Sequence, residues 1–207
     1  MERLVAFGCS ITYGHALADC YSAPSDPGPV PSEQAWPSLV ATHFNVPLTN
    51  QSVCGNSNLA ILNDILKFKF LKGDVAIIMW SLADRDVLFG KKNLLGKQKL
   101  MPIGRWQNTK LSEHWFAAHP ESDLATRTWF YIHHATLYLK SIGISLYNIF
   151  SGYEELKKYK PKYLKLDFYK TKTRCMFPVD RGLDDLHPGP KTHQMISKEI
   201  IEILYAN

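Results

Sequence analysis

The chain has 207 residues, of which 45% are hydrophobic and 21% are charged, a composition typical of a globular protein with a full hydrophobic core. This composition excludes a disordered chain, and no apolar run reaches the roughly 18 residues of a membrane-spanning helix. The formal net charge of +5 is modest and would suit an acidic partner such as an anionic glycan.

The amino terminus and the cysteines indicate a reducing compartment. The first residues, MERLVAFG, lack the positive region, long apolar stretch and cleavage site of a signal peptide. The absence of a CxxC pair favours free thiols over a zinc site. The cysteines are Cys9, Cys20, Cys54 and Cys175. We expect a cytoplasmic protein, or one released by lysis or carried in a virion if a phage encodes it.

Short apolar runs predict strands that are buried on both faces, at residues 4–7, 75–80 and 144–150. Helical spacing predicts one helix that begins after Ser57 and ends at Gly73, and a separate, longer helix over residues 123–141 that ends at Gly143. A last helix is predicted to begin at Pro190. This alternation predicts the α/β class, a parallel sheet with helices on both sides.

Two stretches show no sustained period and are interpreted as irregular loop insertions, near residues 16–37 and 86–120, within a single domain spanning residues 1–207. Loops of this kind usually lie over the carboxyl ends of parallel strands and form substrate walls. Residues 157–174 hold eight Lys or Arg with aromatics between them, a pattern that can bind single-stranded nucleic acid. We interpret it as a solvated connection with inward aromatics, and we expect no nucleic-acid partner. The sequence does not indicate an oligomeric state.

The first predicted strand runs into FGCSITYG, where Ser10 lies between Gly8 and Gly14. In a parallel sheet, the residue after the strand faces the ligand crevice and the positive end of the next helix. The glycines allow a tight turn and the close approach of a substrate. Both a nucleophile and a plain helix cap explain a serine here.

A second motif, DDLHPG, places Asp184 three residues before His187. In one tight turn, this spacing allows a carboxylate to orient an imidazole that acts as a general base. The alternative is a pair of turn acids beside a surface histidine, with His15 or His193 as other bases. A separation of more than about 3.5 Å between the Ser10 hydroxyl and the His187 ring would exclude a triad.

A third motif, NQSVCGNSN, precedes a predicted helix and contains Gly55 and Asn56. The backbone N–H at such a glycine is a good oxyanion donor, and the Asn56 side chain can add a second donor. The same dipeptide also marks ordinary turns.

With these motifs in this order, the chain resembles the SGNH, or GDSL-type, hydrolases. The resemblance implies a three-layer α/β/α sandwich with a central parallel, flavodoxin-like sheet. It implies Ser10 as nucleophile, Asp184 and His187 as orienting acid and base, and an oxyanion hole at Ser10, Gly55 and Asn56. The expected reaction is removal of a short acyl group, most simply acetyl, from a small-molecule or glycan ester, without metal or cofactor. Lipase or thioesterase activity, or glycan binding with weak catalysis, is the alternative.

The chain departs from the family pattern in two places. Cys9 stands where the family usually has Asp, and WSLADRD replaces a block that should contain Asn. This variant is similar to members from phages and polysaccharide loci. Ser81, Asp84 or Arg85 could replace the Asn in part, and Trp80, Ser81 and Arg85 are candidate substrate contacts. Because losing one oxyanion donor lowers the rate by about 10² to 10³, we expect a slower enzyme and not an inactive one.

Other chemistries remain as alternatives. Cys9 or Cys54 could act as the nucleophile in place of Ser10. The histidines that stand near one another match no HExxH pattern and predict no metal site; they are His114, His119, His133 and His134. Sugar rings could stack on the aromatic middle loop, with Trp106, Trp115 and Phe116.

Overall fold

The computed structural model describes residues 1–23, 26–92, 98–105, 107–151 and 154–206. In chain order, the strands are β1 (Arg3–Phe7), β2 (Leu48–Asn50), β3 (Asp74–Met79), β4 (Arg85–Lys92), β5 (Gln98–Gly104), β6 (Ser145–Ser151) and β7 (Tyr169–Thr171). The helices are α1 (Ser10–Tyr13), α2 (Trp36–Phe44), α3 (Asn58–Lys67), α4 (Lys110–Ala118), α5 (Glu121–Ser141), α6 (Glu154–Lys158) and α7 (Pro190–Tyr205).

The main sheet has five strands in the order β2-β1-β3-β6-β7, and every neighbouring pair in it is parallel. Counted along the chain within this sheet, the order is 2-1-3-4-5, the flavodoxin-like arrangement. The three predicted strands form its centre. The predicted α/β fold with a flavodoxin-like sheet is therefore confirmed.

The sheet is covered on both faces because each strand alternates its side chains. Val5 and Phe7 belong to the core formed with α3 and α5, whereas Leu4 and Ala6 belong to the core formed with α2 and α7. All four of these side chains are buried. Two cores on opposite faces of one sheet give the predicted three-layer sandwich.

Two predicted helix ends are confirmed and one is wrong. The Ser57 hydroxyl caps α3 by accepting from the Ala60 N–H at 3.2 Å, and α7 begins at Pro190. Helix α3, however, ends at Lys67 and does not continue to Gly73. Phe68 is extended, and its ring packs on the Phe7 ring with centroids 5.6 Å apart. The apolar spacing beyond Lys67 thus reflects packing against β1.

The stretch at residues 86–120, expected to be irregular, contains an antiparallel hairpin of β4 and β5 followed by α4. Ile103, Phe116 and Leu124 form a small core there, separate from the main sheet. Because each short element adds only one or two residues to this core, no period is visible in the sequence. Trp106 lies outside the described residues.

The other expected loop and the basic segment also have defined contacts. Asp19 accepts from the Ser32 hydroxyl at 2.5 Å and from the Glu33 N–H at 2.7 Å, which orders part of the stretch at residues 16–37. In the basic segment, Tyr159 and Phe168 pack against the main core, whereas Tyr163 is exposed. Among the described helices, none has the length and apolar character needed to cross a membrane.

Candidate active site

The nucleophile candidate lies where β1 delivers the chain to the carboxyl edge of the sheet. Ser10 is the first residue of α1 and is 4% exposed. Gly8 precedes it, and a Cβ added there would lie 2.1 Å from Thr12 Oγ1 and 3.0 Å from the Met79 carbonyl oxygen. Only glycine fits here without displacing the Thr12 side chain of α1, so the sequence pattern around Ser10 has a steric reason.

The structure brings together the three residues that the sequence motifs single out. Nε2 of His187 lies 3.0 Å from Oγ of Ser10, and Nδ1 of His187 lies 2.5 Å from Oδ2 of Asp184. When Nδ1–H donates to the carboxylate, Nε2 is left to accept from the serine hydroxyl. The arrangement has the geometry of a nucleophile, a base and an orienting acid.

The Asp184 carboxylate is held in its charged form. Its side chain is 2% exposed, and its Oδ1 accepts from the N–H groups of Leu186 and His187 at 3.0 and 2.9 Å. Burial raises the pKa of Asp184, but these backbone donors and the His187 ring outweigh it and lower the pKa to about 2. At neutral pH the carboxylate is therefore charged and can only accept hydrogen bonds, so His187 Nδ1 must carry the proton that they share.

The turn that carries His187 is fixed against the segment after α1. The N–H of Gly182 donates to the His187 carbonyl at 2.9 Å, and the N–H of Leu183 donates to the Ala16 carbonyl at 2.8 Å. A Cβ on Gly182 would lie 2.8 Å from both Cβ and O of Ala16. Direct backbone contact thus sets the distance between the base and the nucleophile.

The third motif, NQSVCGNSN, supplies backbone donors near the end of β1, but the Asn56 side chain points elsewhere. The N–H of Val53 donates to the Gly8 carbonyl at 3.3 Å, which fixes this loop beside the end of β1. In the described part of the chain, the N–H groups of Ser10 and Gly55 have no acceptor. Asn56 Nδ2 donates to Asp64 Oδ2 at 3.1 Å. The structure therefore does not bring the Asn56 amide to the oxyanion position.

The block after β3 is held by a residue that the sequence analysis did not single out. Asn58 accepts from the Ser81 N–H at 2.7 Å and donates to the Ser81 carbonyl at 2.9 Å. The Ser81 hydroxyl is buried and has no partner among the described residues. Trp80 is buried, and its Nε1 donates to Asn148 at 2.9 Å, so its polar group is used within the core.

A cavity of about 30 Å³ lies between this block and the turn that carries Ser10. Cys9 and Ile11, which flank the nucleophile candidate, line one side, and Ser81 and Arg85 line another. The remaining lining residues are Met79, Trp80, Leu82, Cys175 and Met176. The candidate contacts Trp80, Ser81 and Arg85 therefore share one small, mainly apolar space.

Two further polar residues shape the site. Asn50 Nδ2 donates to the Thr12 carbonyl at 3.0 Å, which ties the end of β2 to α1. The His15 ring stacks on the His187 ring, with centroids 4.4 Å apart. Asn50 is the first residue of NQSVCGNSN, and His15 directly follows FGCSITYG. The position of neither residue within its motif predicts these contacts.

Burial disfavours one of the alternative nucleophiles, Cys54, and one of the alternative bases, His193. Burial raises the pKa of Cys54 to about 12, so its thiolate is scarce at neutral pH. His193 Nδ1 accepts from the Trp36 N–H at 3.2 Å, on the face formed by α2 and α7. Burial lowers the pKa of His193 to about 4.

One group of donor atoms could in principle approach a metal ion. Among the described residues, it consists of His15, Asp184 and His187, whose atoms lie within 4.8 Å of one another. Asp184 Oδ2 and His187 Nδ1 already bond to each other. His119, one of the histidines considered from the sequence, bonds to Asp123 at 2.9 Å. These hydrogen bonds account for the orientation of Asp184, His187 and His119.

No protein-family model matches the sequence, and no curated protein matches it significantly. Solved structures do match in fold. An acetyl xylan esterase from the rumen bacterium Butyrivibrio proteoclasticus is 15% identical with a TM-score of 0.55, and the match covers 99% of this chain and 63% of that chain.

Two more structures show the same fold. A G-D-S-L family protein from Desulfitobacterium hafniense DCB-2 is 12% identical with a TM-score of 0.56, and the match covers 98% of this chain and 99% of that chain. The other is a carbohydrate esterase whose active site has divergent catalytic and non-catalytic binding functions. It is 14% identical with a TM-score of 0.56, and the match covers 99% of this chain and 65% of that chain. The chain thus spans about two thirds of the two esterase chains. At these identities the similarity establishes a shared fold.

Proposed function

We propose that residues 1–207 act as one SGNH-hydrolase-like domain and that the protein is a serine ester hydrolase of that family. The observation that carries the proposal is the continuous contact from Ser10 through His187 to Asp184, at 3.0 and 2.5 Å. A plain helix cap or a surface histidine does not require this arrangement. The shared fold supports the proposal, because the solved relatives include esterases.

The proposed reaction is acyl transfer in two steps. His187 Nε2 takes the Ser10 proton as Oγ attacks the ester carbonyl, and the imidazolium then gives this proton to the leaving alcohol. Water, deprotonated by His187, next attacks the acyl-serine. The bond between Oγ and the acyl carbon breaks, the imidazolium returns the proton to Ser10, and the acid is released. Asp184 keeps Nδ1 protonated and stabilises the imidazolium in both steps.

The proposed oxyanion hole uses the backbone N–H groups of Ser10 and Gly55. The family's third donor, an Asn side chain, has no equivalent at the block after β3. The Ser81 hydroxyl is the best-placed substitute, because it is buried without a partner in the described region and lines the cavity beside Cys9. A weaker third donor predicts a slower enzyme.

The small cavity favours a short acyl group. A cavity needs about 10–15 Å³ to hold one water, so a space of about 30 Å³ accommodates a methyl group but not an extended chain. We therefore propose acetyl as the acyl group. A carbohydrate ester is proposed because two esterase relatives act on carbohydrates by description and the chain carries a net positive charge.

One observation favours an alternative substrate. Several exposed aliphatic side chains flank the catalytic turn: Met176, Val179, Leu183 and Leu186 are each at least 49% exposed. Such a rim would suit a lipase or thioesterase substrate with an apolar portion. Glycan binding with weak catalysis is the other alternative, since the third oxyanion donor is altered.

Hydrolysis of p-nitrophenyl acetate tests the proposal, together with labelling by a fluorophosphonate. We expect turnover and labelling in the wild type, and loss of both in Ser10→Ala, with kcat lower by about 10⁶. Ser141→Ala, at an exposed site on α5, serves as the matched control and should behave as the wild type. A folded wild type with neither turnover nor labelling would reject the hydrolase and favour the binding alternative.

Acetylated glycans and a series of acyl chain lengths then distinguish the substrate classes. Faster hydrolysis of acetylated polysaccharides than of butyryl or octanoyl esters would support the proposed substrate. The reverse preference would support the lipase or thioesterase alternative.

A further inference from the structure

His15 lies directly against the candidate base. It follows α1, where its N–H donates to the Ser10 carbonyl at 3.0 Å, and it is 8% exposed. Its ring stacks on the His187 ring, with centroids 4.4 Å apart and planes inclined by 29°. One face of the His187 imidazole is therefore covered by a second, buried imidazole.

The backbone holds the two rings in this position. Ala16, next to His15, has a φ of 68°, a left-handed conformation that costs energy for a residue with a Cβ. In this conformation its carbonyl accepts from the Leu183 N–H at 2.8 Å. The close approach of Gly182 to Ala16 completes the contact, so the stacking depends on a strained and closely fitted junction.

We infer that His15 is a positioning residue for His187, an inference that rests on the proposed function. Its ring fixes the plane in which His187 Nε2 reaches Ser10. As a neutral aromatic ring, it also stabilises the imidazolium that forms when Ser10 loses its proton.

The charges around the pair support a neutral His15. The groups that face it are His187, Asp184 and Asp26, and the Tyr21 ring lies 6.5 Å away. Burial lowers the pKa of His15 and the neighbouring His187 lowers it further, whereas Asp184, Asp26 and a hydrogen bond to the Ala23 backbone raise it. His15 Nε2 is buried and has no partner in the described chain, which disfavours a proton there.

The groups around His187 leave it as the ring that gains the proton. Asp184 accepts from Nδ1, and Ser10 lies at Nε2. His193 is close enough to His187 that a charge on one of these two rings disfavours a charge on the other. His193 is buried, however, and it is neutral at neutral pH. When His187 is protonated, the Asp184 carboxylate therefore contacts the edge of its ring and the aromatic ring of His15 covers one face.

Two substitutions separate the aromatic face from simple packing. His15→Phe keeps a neutral ring against His187, whereas His15→Leu removes it. NMR titration of the imidazole nitrogens in labelled protein reports the pKa of His187 without any substrate. The pH profile of kcat/KM for p-nitrophenyl acetate reports the same group through catalysis. His133→Leu, on helix α5, controls for the loss of a histidine elsewhere.

We expect His15→Leu to lower the pKa of His187 by about half a unit to one unit, because a stabilising contact to the charged form is lost. Its kcat/KM at neutral pH should fall by about ten- to a hundredfold, because the base is less well oriented. His15→Phe should keep both values close to the wild type. In the wild type, His15 should titrate below the ordinary range of an imidazole, a measurement that requires no variant.

An unchanged His187 pKa in folded His15→Leu would overturn the inference. So would equal losses in folded His15→Phe and His15→Leu, or titration of wild-type His15 within or above the ordinary range of an imidazole. If the wild type hydrolyses no ester while the NMR shifts occur as expected, the proposed function fails and the positioning of the imidazole stands.

Discussion

Oγ of Ser10 lies 3.0 Å from Nε2 of His187, although the two residues are 177 positions apart in the chain. Ser10 comes from the end of the first strand of the sheet, and His187 comes from the turn that precedes the last helix. The contact exists because the segment after α1 and the segment at residues 182–187 bond to each other through their backbones.

Replacing the orienting acid should nearly abolish activity. In Asp184→Asn, the side chain can donate to Nδ1, which would favour the wrong His187 tautomer and lower kcat by about 10⁴. Asp185→Asn is the matched control, because Asp185 is the exposed neighbour and Asn tolerates its left-handed φ of 57°. Steady-state kinetics on p-nitrophenyl acetate measure both variants, and similar kcat values in the two would contradict the role of Asp184.

The same carboxylate should make stability depend on acid pH. Its pKa is lowered to about 2 in the folded protein, so folding favours the charged form. The resulting stabilisation of about 2 kcal/mol is fully present above the unfolded pKa near 4 and is mostly lost as the pH falls to 2. Urea unfolding at pH 7 and pH 2 should show Asp184→Asn destabilised at pH 7 and much closer to the wild type at pH 2. A constant difference at both values would contradict the lowered pKa.

Adding one methyl group at Gly182 should separate the base from the nucleophile. Its Cβ would lie 2.8 Å from Ala16 Cβ and O, so the turn that carries His187 must move. We expect a loss of about 1–3 kcal/mol in stability and a fall in kcat/KM of about tenfold or more. Gly143→Ala has open space around its Cβ but a φ of 74°, so it should lose stability through strain while keeping its kcat/KM. Equal kcat/KM in both folded variants would contradict this prediction.

The side chain of Asn56 should matter little for the rate. Its amide is bonded to Asp64, so Asn56→Ala should change kcat by less than about threefold, compared with the 10² to 10³ of a lost oxyanion donor. Stability should fall by about 1 kcal/mol, because Asp64 loses a hydrogen bond. Kinetics and thermal unfolding test this together. A fall in kcat of a hundredfold would show that the amide reaches the oxyanion during the reaction.

The cavity beside Cys9 should set the acyl length. Met176→Ala enlarges it, and we expect the ratio of butyryl to acetyl ester hydrolysis to rise by about tenfold or more. Met195→Ala is the control, because Met195 has similar exposure on α7 and does not line the cavity. An unchanged ratio in Met176→Ala would place the acyl group elsewhere.

The structure shows what surrounds Cys9, but it does not explain why Cys stands where SGNH hydrolases usually have Asp. Its side chain is 4% exposed and lines the same cavity as Cys175 and Met176. A carboxylate in this mainly apolar space would need a charged partner. Arg85, which also lines the cavity, is close to that space.

Sequence patterns were informative where chemistry and packing are local. The buried strands, the Ser57 cap and the three-residue spacing from Asp184 to His187 depend on neighbouring residues, and each was visible in the sequence. The hairpin of β4 and β5 was not visible, because its pairing joins residues that share no short-range period. The end of α3 was also missed, because Phe68 and Phe70 pack against Phe7 in another element.

The sequence by itself determined the α/β class and the three polar residues of the candidate site. Periodicity, turn residues and the spacing of acid and base each depend on residues that are close to one another in the chain. Only the tertiary structure decided that Asn56 bonds to Asp64, that a cavity lies beside Cys9, and that His15 covers one face of His187. The cavity and the ring contact depend on which distant segments meet and how closely their backbones approach. Steric fit at Gly182 and Ala16 settles the approach that brings the two rings together, and no periodic pattern encodes it.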